Sequence, residues 1–595
     1  MAGFAVGCVG WAILCSVTLS QARSHALKAL ADSSVISGVD LSQVTRDERI
    51  RSQQRDGLSS VIGSLAAADR HLSRPWLLPL RPLPVVGTQL RSADALVSSA
   101  LSAARAGDSL LTEFDAVRGE MEAESLTPAE AVGRLLPAAQ AARTAFAADL
   151  GPSSGLLVQL AEARDRLATP LERASQTLED LTTVLVGFER LLGGSRYLLL
   201  VANTSEMRVG SGMYLQAGVA TIDETGDVTV AELASVSDPP QSSHVVPIAD
   251  ADTSRHWASM LPTAAYQAVA VSPRFPVVAD MAVRMWESSH PERLDGVMAL
   301  DPSALAAVVT LTGPVVLSDG TSLASADVER FAAYGQYAAT EDDVARRELL
   351  GELAAQIVSA LATVSPGPEQ LLEALRVPVQ ARHLRLWSRD RVVQAAWDRL
   401  GAAGDMKPDD LLVSVSNLNG NKLDFLLGVQ AALTTTPTPG ATAGRRHEVG
   451  VTLANRVTGS EPSEVLGEIY PGRYFGILTF HLPRGASQIT VDGVPLAGDE
   501  PPRGAMRSAI VNRAPNALVL QGPDGPNQLV GVTVELEPGG QHSVRVGFEL
   551  PAERGIWLVP SARFPSVQWA GVPSADLVPV QLLGDDRAAT TEGGG

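Results

Sequence analysis

The sequence predicts an α+β multidomain protein with an N-terminal membrane helix, a helical stalk, an α/β layered core and a C-terminal antiparallel β-sandwich. The chain of 595 residues is too long for one core. Its first third repeats apolar residues at helical spacing, and its last quarter alternates short strands with turn residues. The predicted boundaries are 1–22 for the membrane helix, 23–194 for the stalk, 195–433 for the core, 445–585 for the sandwich and 586–595 for an unordered tail.

Charge and cysteine content restrict the classes of function. A formal net charge of −19 argues against binding to DNA or RNA, which requires a basic surface, and against a polybasic attachment to anionic lipid. The two cysteines, Cys8 and Cys15, both lie in the N-terminal apolar segment. The folded body therefore has no disulfide and no thiol nucleophile, although this leaves the cellular compartment open.

Residues 1–22 contain no charged side chain. Because about 20 helical residues cross a hydrocarbon layer of roughly 30 Å, we predict a single membrane-spanning helix. A cleaved signal peptide is the competing interpretation, since Ser20-Gln21-Ala22 resembles a cleavage site, but the basic segment that usually precedes the apolar stretch is missing. Arg23 and Lys28 follow the span and weakly favour a cytoplasmic C-terminus.

The predicted stalk consists of antiparallel helices. Apolar residues recur three and four positions apart at 90–111, 126–150 and 156–192. Four prolines between residues 75 and 84 exclude a helix there, so this segment is expected to cross between helices with Trp76 packed as a clasp. A peptide-binding groove is the alternative use of such a bundle.

The core is predicted to begin with the apolar run 197–202, a strand covered on both faces. A polar, glycine-rich turn with Glu206 and Arg208 follows, and 213–222 forms a second strand. Charged groups at the end of such a strand are well placed to meet a ligand. The alternative is that Glu206 and Arg208 pair with each other, or with neighbours, to fix the turn.

Strands and helices alternate through the rest of the core, which indicates α/β layering. Asp301 is expected to cap a helix whose first residue is Pro302. The remaining strands are predicted at 266–271, 297–300, 383–387 and 411–416, and the helices at 277–286, 325–337, 341–364 and 391–400. Residues 434–444 are predicted to be a linker, and the strands beyond it an immunoglobulin-like sandwich.

The motifs of several reaction classes are missing. The nine histidines are scattered, with no pair at the spacing of a helical zinc site. The chain has no phosphate-binding loop, no dinucleotide fingerprint and no Gly-x-Ser-x-Gly nucleophile elbow. Two alternatives remain: a nest of backbone N–H groups at 210–212 that holds an anion, and a hard divalent cation bound by carboxylates. The carboxylates in question are Glu206, Asp295, Asp301 and Asp424.

The turn after the first core strand resembles the signature of DUF4012, a bacterial family of unknown function. Asn203, Glu206 and Arg208 match an Asn-x-x-Glu-x-Arg motif, and Ser211-Gly212 stands where two glycines are usual. The asparagine-rich end at 417–424 resembles a later motif of the same family. The resemblance implies one membrane span and a large outer body, so we expect the bulk of the chain to be extracytoplasmic. It implies no established activity.

The order of elements at 295–317 is also similar, more loosely, to LytR-CpsA-Psr proteins. Those enzymes transfer glycopolymers from polyprenyl-pyrophosphate carriers and use arginines, acidic residues and magnesium. The resemblance implies that Arg208, Arg274 and Arg385 contact the pyrophosphate and that Glu206 or Asp295 lies near the metal. The Arg-Asp-Thr motif usual in that family is missing from this chain.

We therefore expect a membrane-anchored extracytoplasmic protein that acts in cell-envelope or surface-polysaccharide biogenesis by ligand binding or scaffolding, without a cofactor. The alternatives are a LytR-CpsA-Psr-like transferase that uses Mg²⁺, and a surface adhesin. The expected partners are the membrane, through the N-terminal helix, and an envelope glycopolymer or lipid-linked glycan, but not nucleic acid. The candidate ligand-binding residues are Asn203, Glu206, Arg208, Ser211, Gly212, Arg274, Asp295, Asp301, Arg385, Asn419, Lys422 and Asp424.

Overall fold

The computed structural model divides the chain into two compact units. Unit 1 comprises residues 1–193 with 224–226 and 367–369, and unit 2 comprises the remainder. The α+β fold class predicted from the sequence is confirmed. The structure describes residues 2–33, 48–123, 125–231, 233–236, 246–339, 342–364, 368–437, 444–496, 498, 501, 504–571 and 580–583, so the predicted tail 586–595 lies outside the described residues.

Unit 1 is helical, and each described helix packs against the next along the chain. Its apolar stripes, such as Val61, Leu65 and Leu72, lie in a shared core. The proline-rich segment, which was predicted to be non-helical, has no α-helix at Pro75–Leu80 but forms a short 3₁₀ helix there. The helices are α1 (Ala2–Ser33), α2 (Glu48–Leu72), α3 (Val86–Glu122), α4 (Pro128–Phe146) and α5 (Val158–Leu191).

Helix α1 continues through Arg23 and Lys28, beyond the predicted span. Within the described part of the chain, no helix combines the length and apolarity that crossing a bilayer requires. The membrane helix at residues 1–22 therefore remains a prediction.

The first sheet of unit 2 is built around the predicted apolar strand. Its strands are β1 (Ser195–Met207), β2 (Gly212–Ile222), β3 (Val228–Val230), β4 (Ala234–Ser235), β5 (Gly296–Leu300) and β8 (Leu384–Ser388). They lie in the order β3-β2-β1-β5-β8, with β4 paired to β2. β1 pairs antiparallel with β2 and parallel with β5. Strands β6 (Val315–Val316) and β7 (Ser322–Leu323) form a separate pair.

The helices predicted for the core form close to their expected positions. The predicted strand 266–271 is wrong: Tyr266–Ala268 is a 3₁₀ helix, and Val269 to Val271 form a buried loop. The apolarity of this run reflects burial rather than sheet pairing. The helices are α6 (Ala251–Trp257), α7 (Phe275–Ser289), α8 (Pro302–Thr312), α9 (Ser325–Arg330), α10 (Gln336–Ala339), α11 (Asp343–Val364), α12 (Pro368–Gln380), α13 (Arg391–Leu400), α14 (Ser463–Leu466) and α15 (Ala505–Val511). A π-helical turn at Phe331–Gly335 joins α9 to α10.

Two further sheets face each other across one core. The strands are β9 (Asp410–Asn417), β10 (Leu427–Pro437), β11 (Gly444–Asn455), β12 (Tyr474–Leu482), β13 (Ser487–Val491), β14 (Val494–Pro495), β15 (Leu518–Asp524), β16 (Asn527–Leu536), β17 (Gln541–Pro551), β18 (Ile556–Leu558), β19 (Gln568–Trp569) and β20 (Val580–Leu583). The second sheet has the order β14-β13-β17-β11-β10-β19, and the third β15-β16-β12-β9-β18-β20.

The third sheet is a middle layer of unit 2. Phe480 and Val532 pack into the core shared with the second sheet, whereas Ile477 and Leu529 pack into the core of the first sheet and α7. Because both faces of the third sheet are covered, β12 is buried at every position.

Two features of the sandwich differ from the prediction. The strand predicted at 411–416 lies within β9, and the start of the predicted linker lies within β10. Both strands belong to the sandwich sheets and not to the sheet of the core, as was predicted for 411–416. β10 runs to Pro437 because residues 434–437 pair with 445–448 of β11, and residues 438–443 lie outside the described residues. The sheets are also mixed rather than purely antiparallel, since β18 runs parallel to β9 and β19 parallel to β10.

Candidate functional site

The turn after β1 is closed by its own backbone. The Arg208 amide donates to the Ser211 carbonyl at 2.7 Å, and the buried Ser211 hydroxyl donates to the Gly212 carbonyl at 2.9 Å. A Cβ at Gly212 would lie 2.1 Å from the carbonyl oxygen of Asn203, so this position requires glycine. The Gly210 amide donates to a carbonyl of the neighbouring loop at 2.9 Å. The Gly210 amide, which belongs to the anion nest predicted at 210–212, is thus engaged within the fold, and so is the neighbouring Arg208 amide.

Glu206 pairs with Lys422 rather than with Arg208. Its carboxylate is in direct contact with the Lys422 ammonium, and 7% of the Glu206 side chain and 24% of the Lys422 side chain are exposed. Burial lowers the pKa of Lys422 to about 8. The partner comes from the segment between β9 and β10, so the pair joins the first sheet to the sandwich.

Asp424 holds the end of β1 through a second set of contacts. Its carboxylate accepts hydrogen bonds from the Met207 amide and the Asn417 side chain, each at 2.9 Å. It also accepts one from the Tyr474 hydroxyl at 3.1 Å. Asp424 is fully buried, and burial raises its pKa. Two groups of the sandwich thus meet a backbone group of β1 at one carboxylate.

The asparagine-rich segment also binds within the unit. Asn419 donates to the Arg473 carbonyl at 2.9 Å and accepts from the Arg513 guanidinium at 2.8 Å. Asn421 donates to the same Arg473 carbonyl at 2.8 Å. These amides hold the loop after β9 against the strands that follow it.

Arg208 and Arg385 each donate to backbone carbonyls. Arg208 reaches the carbonyls of Met207 and Asn417, both at 2.9 Å, and burial lowers its pKa. Arg385 donates to the Gly210 carbonyl at 2.7 Å and lies over the Phe275 ring, 5.0 Å from its centre. The two guanidinium groups therefore brace different sides of the turn.

Arg274 belongs to a separate cluster. It contacts Asp250 at 3.1 Å and Asp524 at 3.4 Å. Burial acts to lower the pKa of Arg274, but the carboxylates of Asp250 and Asp524 outweigh burial and raise this pKa overall. Arg208, Arg274 and Arg385 thus each have their own partners inside the unit and share no contact.

Asp295 and Asp301 flank β5. The Asp295 carboxylate accepts from the Arg196 amide at 2.8 Å, which fixes β5 beside β1. Asp301 caps α8 as predicted, since its carboxylate accepts from the Ser303 amide at 2.9 Å. Its other oxygen lies 2.6 Å from Nδ1 of His383.

Residues 193–337 match the family model described as "Protein of unknown function (DUF4012)". This stretch is a DUF4012 segment. It spans the turn, Asp295 and Asp301, and the resemblance stated from the motif is confirmed there. No curated protein and no solved structure matches the chain. The looser resemblance to LytR-CpsA-Psr proteins is not supported by these comparisons.

A small hollow lies beside Asn203 of the DUF4012 segment. It is lined mainly by apolar side chains such as Val201, Leu305 and Leu353, and has about 30 Å³ of free space. Ligand pockets are roughly ten times larger or more. Asn203 donates to the Tyr337 hydroxyl at 3.2 Å and accepts from the Ser205 amide at 3.0 Å, so its amide is also held within the fold.

Sequence reasoning missed the groups that complete these contacts. His383, Tyr474 and Arg563 carry no motif, and each is separated from its partner by many residues. Arg563 donates to the carbonyls of Asp424 and Leu427, both at 2.9 Å. Across the described residues, no group of three or more His, Cys, Asp or Glu side chains is arranged to hold a metal ion.

Proposed function

We propose that this protein is a membrane-anchored extracytoplasmic scaffold that binds an envelope glycopolymer or lipid-linked glycan during surface-polysaccharide biogenesis. The observation that carries the scaffold role is the engagement within unit 2 of charged residues from the DUF4012 segment and from the loop after β9. Glu206 and Asp424 contact groups of the sandwich loop and of β1, and Arg208 donates to two backbone carbonyls.

Catalysis by general acid, base or electrostatic stabilisation requires a polar group that reaches the substrate. The Asp424 carboxylate already accepts three hydrogen bonds, from Met207, Asn417 and Tyr474. Arg385 is 1% exposed and donates inward to Gly210. This arrangement favours a rigid binding platform over a transferase.

The location rests on the sequence. Residues 1–22 contain no charged side chain, and the rest of the chain carries the whole net charge of −19, which suits an outer domain that does not adhere to anionic lipid. The DUF4012 resemblance implies the same topology.

Two measurements test the proposal. A reporter fused after residue 595 is expected to be active outside the cytoplasm, and the purified protein is expected to sediment with isolated envelope glycan. A cytosolic reporter, or no sedimentation with any envelope glycan fraction, would overturn it.

The transferase alternative is tested separately. The purified protein is incubated with polyprenyl-pyrophosphate-linked glycan and Mg²⁺, and we expect no phosphate release above a protein-free control. Release that disappears in Arg208→Ala, but persists in the control Arg554→Ala, would establish the transferase and contradict the scaffold.

A further inference from the structure

The contact between Glu206 and Lys422 differs from an ordinary surface ion pair in its burial and in the close approach of the two side chains. Glu206 lies at the end of β1 and is 6% exposed. Lys422 approaches it from the loop between β9 and β10, and the Nζ and Oε1 atoms touch. Hydrophobic core residues flank both positions, since Met207 and Leu423 are fully buried. The pair is therefore held in one geometry and is largely shielded from water.

Position 422 carries a lysine in a chain whose basic residues are almost all arginine. The chain has three lysines, at positions 28, 407 and 422, among 47 basic residues. Other ion pairs of unit 2, such as Arg274–Asp524 and Arg513–Glu535, use arginine. Arginine stays charged in folded proteins, whereas a buried lysine loses its proton readily and becomes a nucleophile. Burial lowers the pKa of Lys422 to about 8, so neutral amine is accessible near neutral pH.

We propose that Lys422 and Glu206 form an intramolecular amide bond. After a proton passes from the ammonium to the carboxylate it touches, the neutral Lys422 Nζ attacks Cδ of the protonated Glu206 carboxyl, and a C–N bond forms. The C–O bond breaks, and the departing hydroxyl takes a proton from the nitrogen and leaves as water. No oxidant, metal or cofactor takes part.

The amide would be a covalent crosslink within unit 2, where no disulfide can form because unit 2 contains no cysteine. Cys8 and Cys15 are the two cysteines of the chain, and both precede unit 2. An amide between β1 and the loop after β9 closes a long segment of chain and fixes the DUF4012 segment to the sandwich. Closing a long loop restricts the unfolded chain, so we expect greater resistance to heat and proteolysis.

Mass spectrometry of the denatured full-length protein tests the proposal. We expect wild type to be lighter by one water molecule than its sequence requires, and a tryptic digest to contain the peptide 197–208 joined to the peptide that carries Lys422. Lys422→Arg keeps the positive charge but should show the full mass and separate peptides. Lys407→Arg, the matched lysine control, should retain the link.

The outcomes are decisive. A wild-type protein of full mass with separate peptides overturns the proposal, whatever the variants do. A water loss that survives in Lys422→Arg overturns it as well, because the linkage then lies elsewhere. These results do not depend on whether the protein binds glycan.

Discussion

His383 is buried in unit 2 and interacts with two carboxylates. Asp301 is 2.6 Å from its Nδ1, and Glu329 adds a second negative charge. Burial acts to lower the pKa of His383, but Asp301, helped by Glu329 and opposed by Arg385, raises this pKa above its usual 6.5. The stabilisation from the charged pair is thus complete below about pH 6.5 and is lost as the pH rises through the folded-state pKa.

Asp301→Asn tests this pair while it keeps a good helix cap. We expect it to lower the free energy of unfolding by about 1–3 kcal/mol near pH 6 and by less near pH 9, because the imidazole is then neutral in both proteins. Urea denaturation at several pH values provides the measurement.

The control is Asp390→Asn, which changes the cap of α13, where the carboxylate accepts from the Val392 amide at 2.8 Å. It should have a small effect that does not vary across this pH range. An Asp301→Asn effect that grows toward alkaline pH would contradict the assigned ion pair.

Some residue roles follow from local sequence and others do not. The cap of α8 by Asp301 was predictable because Asp-Pro is a local signal for a helix start. The local sequence around Glu206 is compatible with a pair to Arg208 or to another neighbour. Its partner Lys422 is more than two hundred residues away, and only the folded arrangement of β1 and β9 brings the two together.

The hairpin of β1 and β2 depends on a single glycine, Gly212. Met207 pairs with Gly212, and the strand shifts register between Asn203 and Met207. This shift brings the Asn203 carbonyl close to the Cα of Gly212, as a β-bulge does. A side chain there would push against backbone, which cannot rotate away.

Gly212→Ala is therefore expected to destabilise unit 2. The added Cβ would lie 2.1 Å from the Asn203 oxygen, and overpacking of this kind costs about 1–3 kcal/mol. Thermal denaturation should show a clearly lowered midpoint. Gly450→Ala is the control, because its Cβ would meet Arg545 at an ordinary 3.9 Å. Equal midpoints for the two variants would show that the close approach is not a constraint.

Element type was predictable where one signal dominated. The helices of unit 1 follow from clear apolar periodicity, and the strands β1, β2, β5 and β8 follow from short apolar runs next to turn or cap signals. The run 266–271 failed because an apolar loop buried under the first sheet has the composition of a strand. The assignment of β9 and β10 to the sandwich was not readable either, since strand pairing between distant segments leaves no local pattern.

Unit 2 is layered, and the DUF4012 segment and the sandwich both contribute side chains to one hydrophobic core. The third sheet packs against the second sheet on one face and against α7 on the other. Glu206, Arg208 and Asp424 lie where β1 meets the loop after β9. We therefore infer that these three residues join two layers of unit 2.

Hydrogen exchange on the full-length protein with Asp424→Ala tests this claim most directly. Because Asp424 binds β1 and the sandwich together, we expect the opening free energies of β1 and β12 to fall by a similar amount, about 2–4 kcal/mol. The partly exposed Asp409→Ala should change both by less than about 0.5 kcal/mol. Loss of protection in β1 with β12 unchanged, or no change in either strand, would contradict the account.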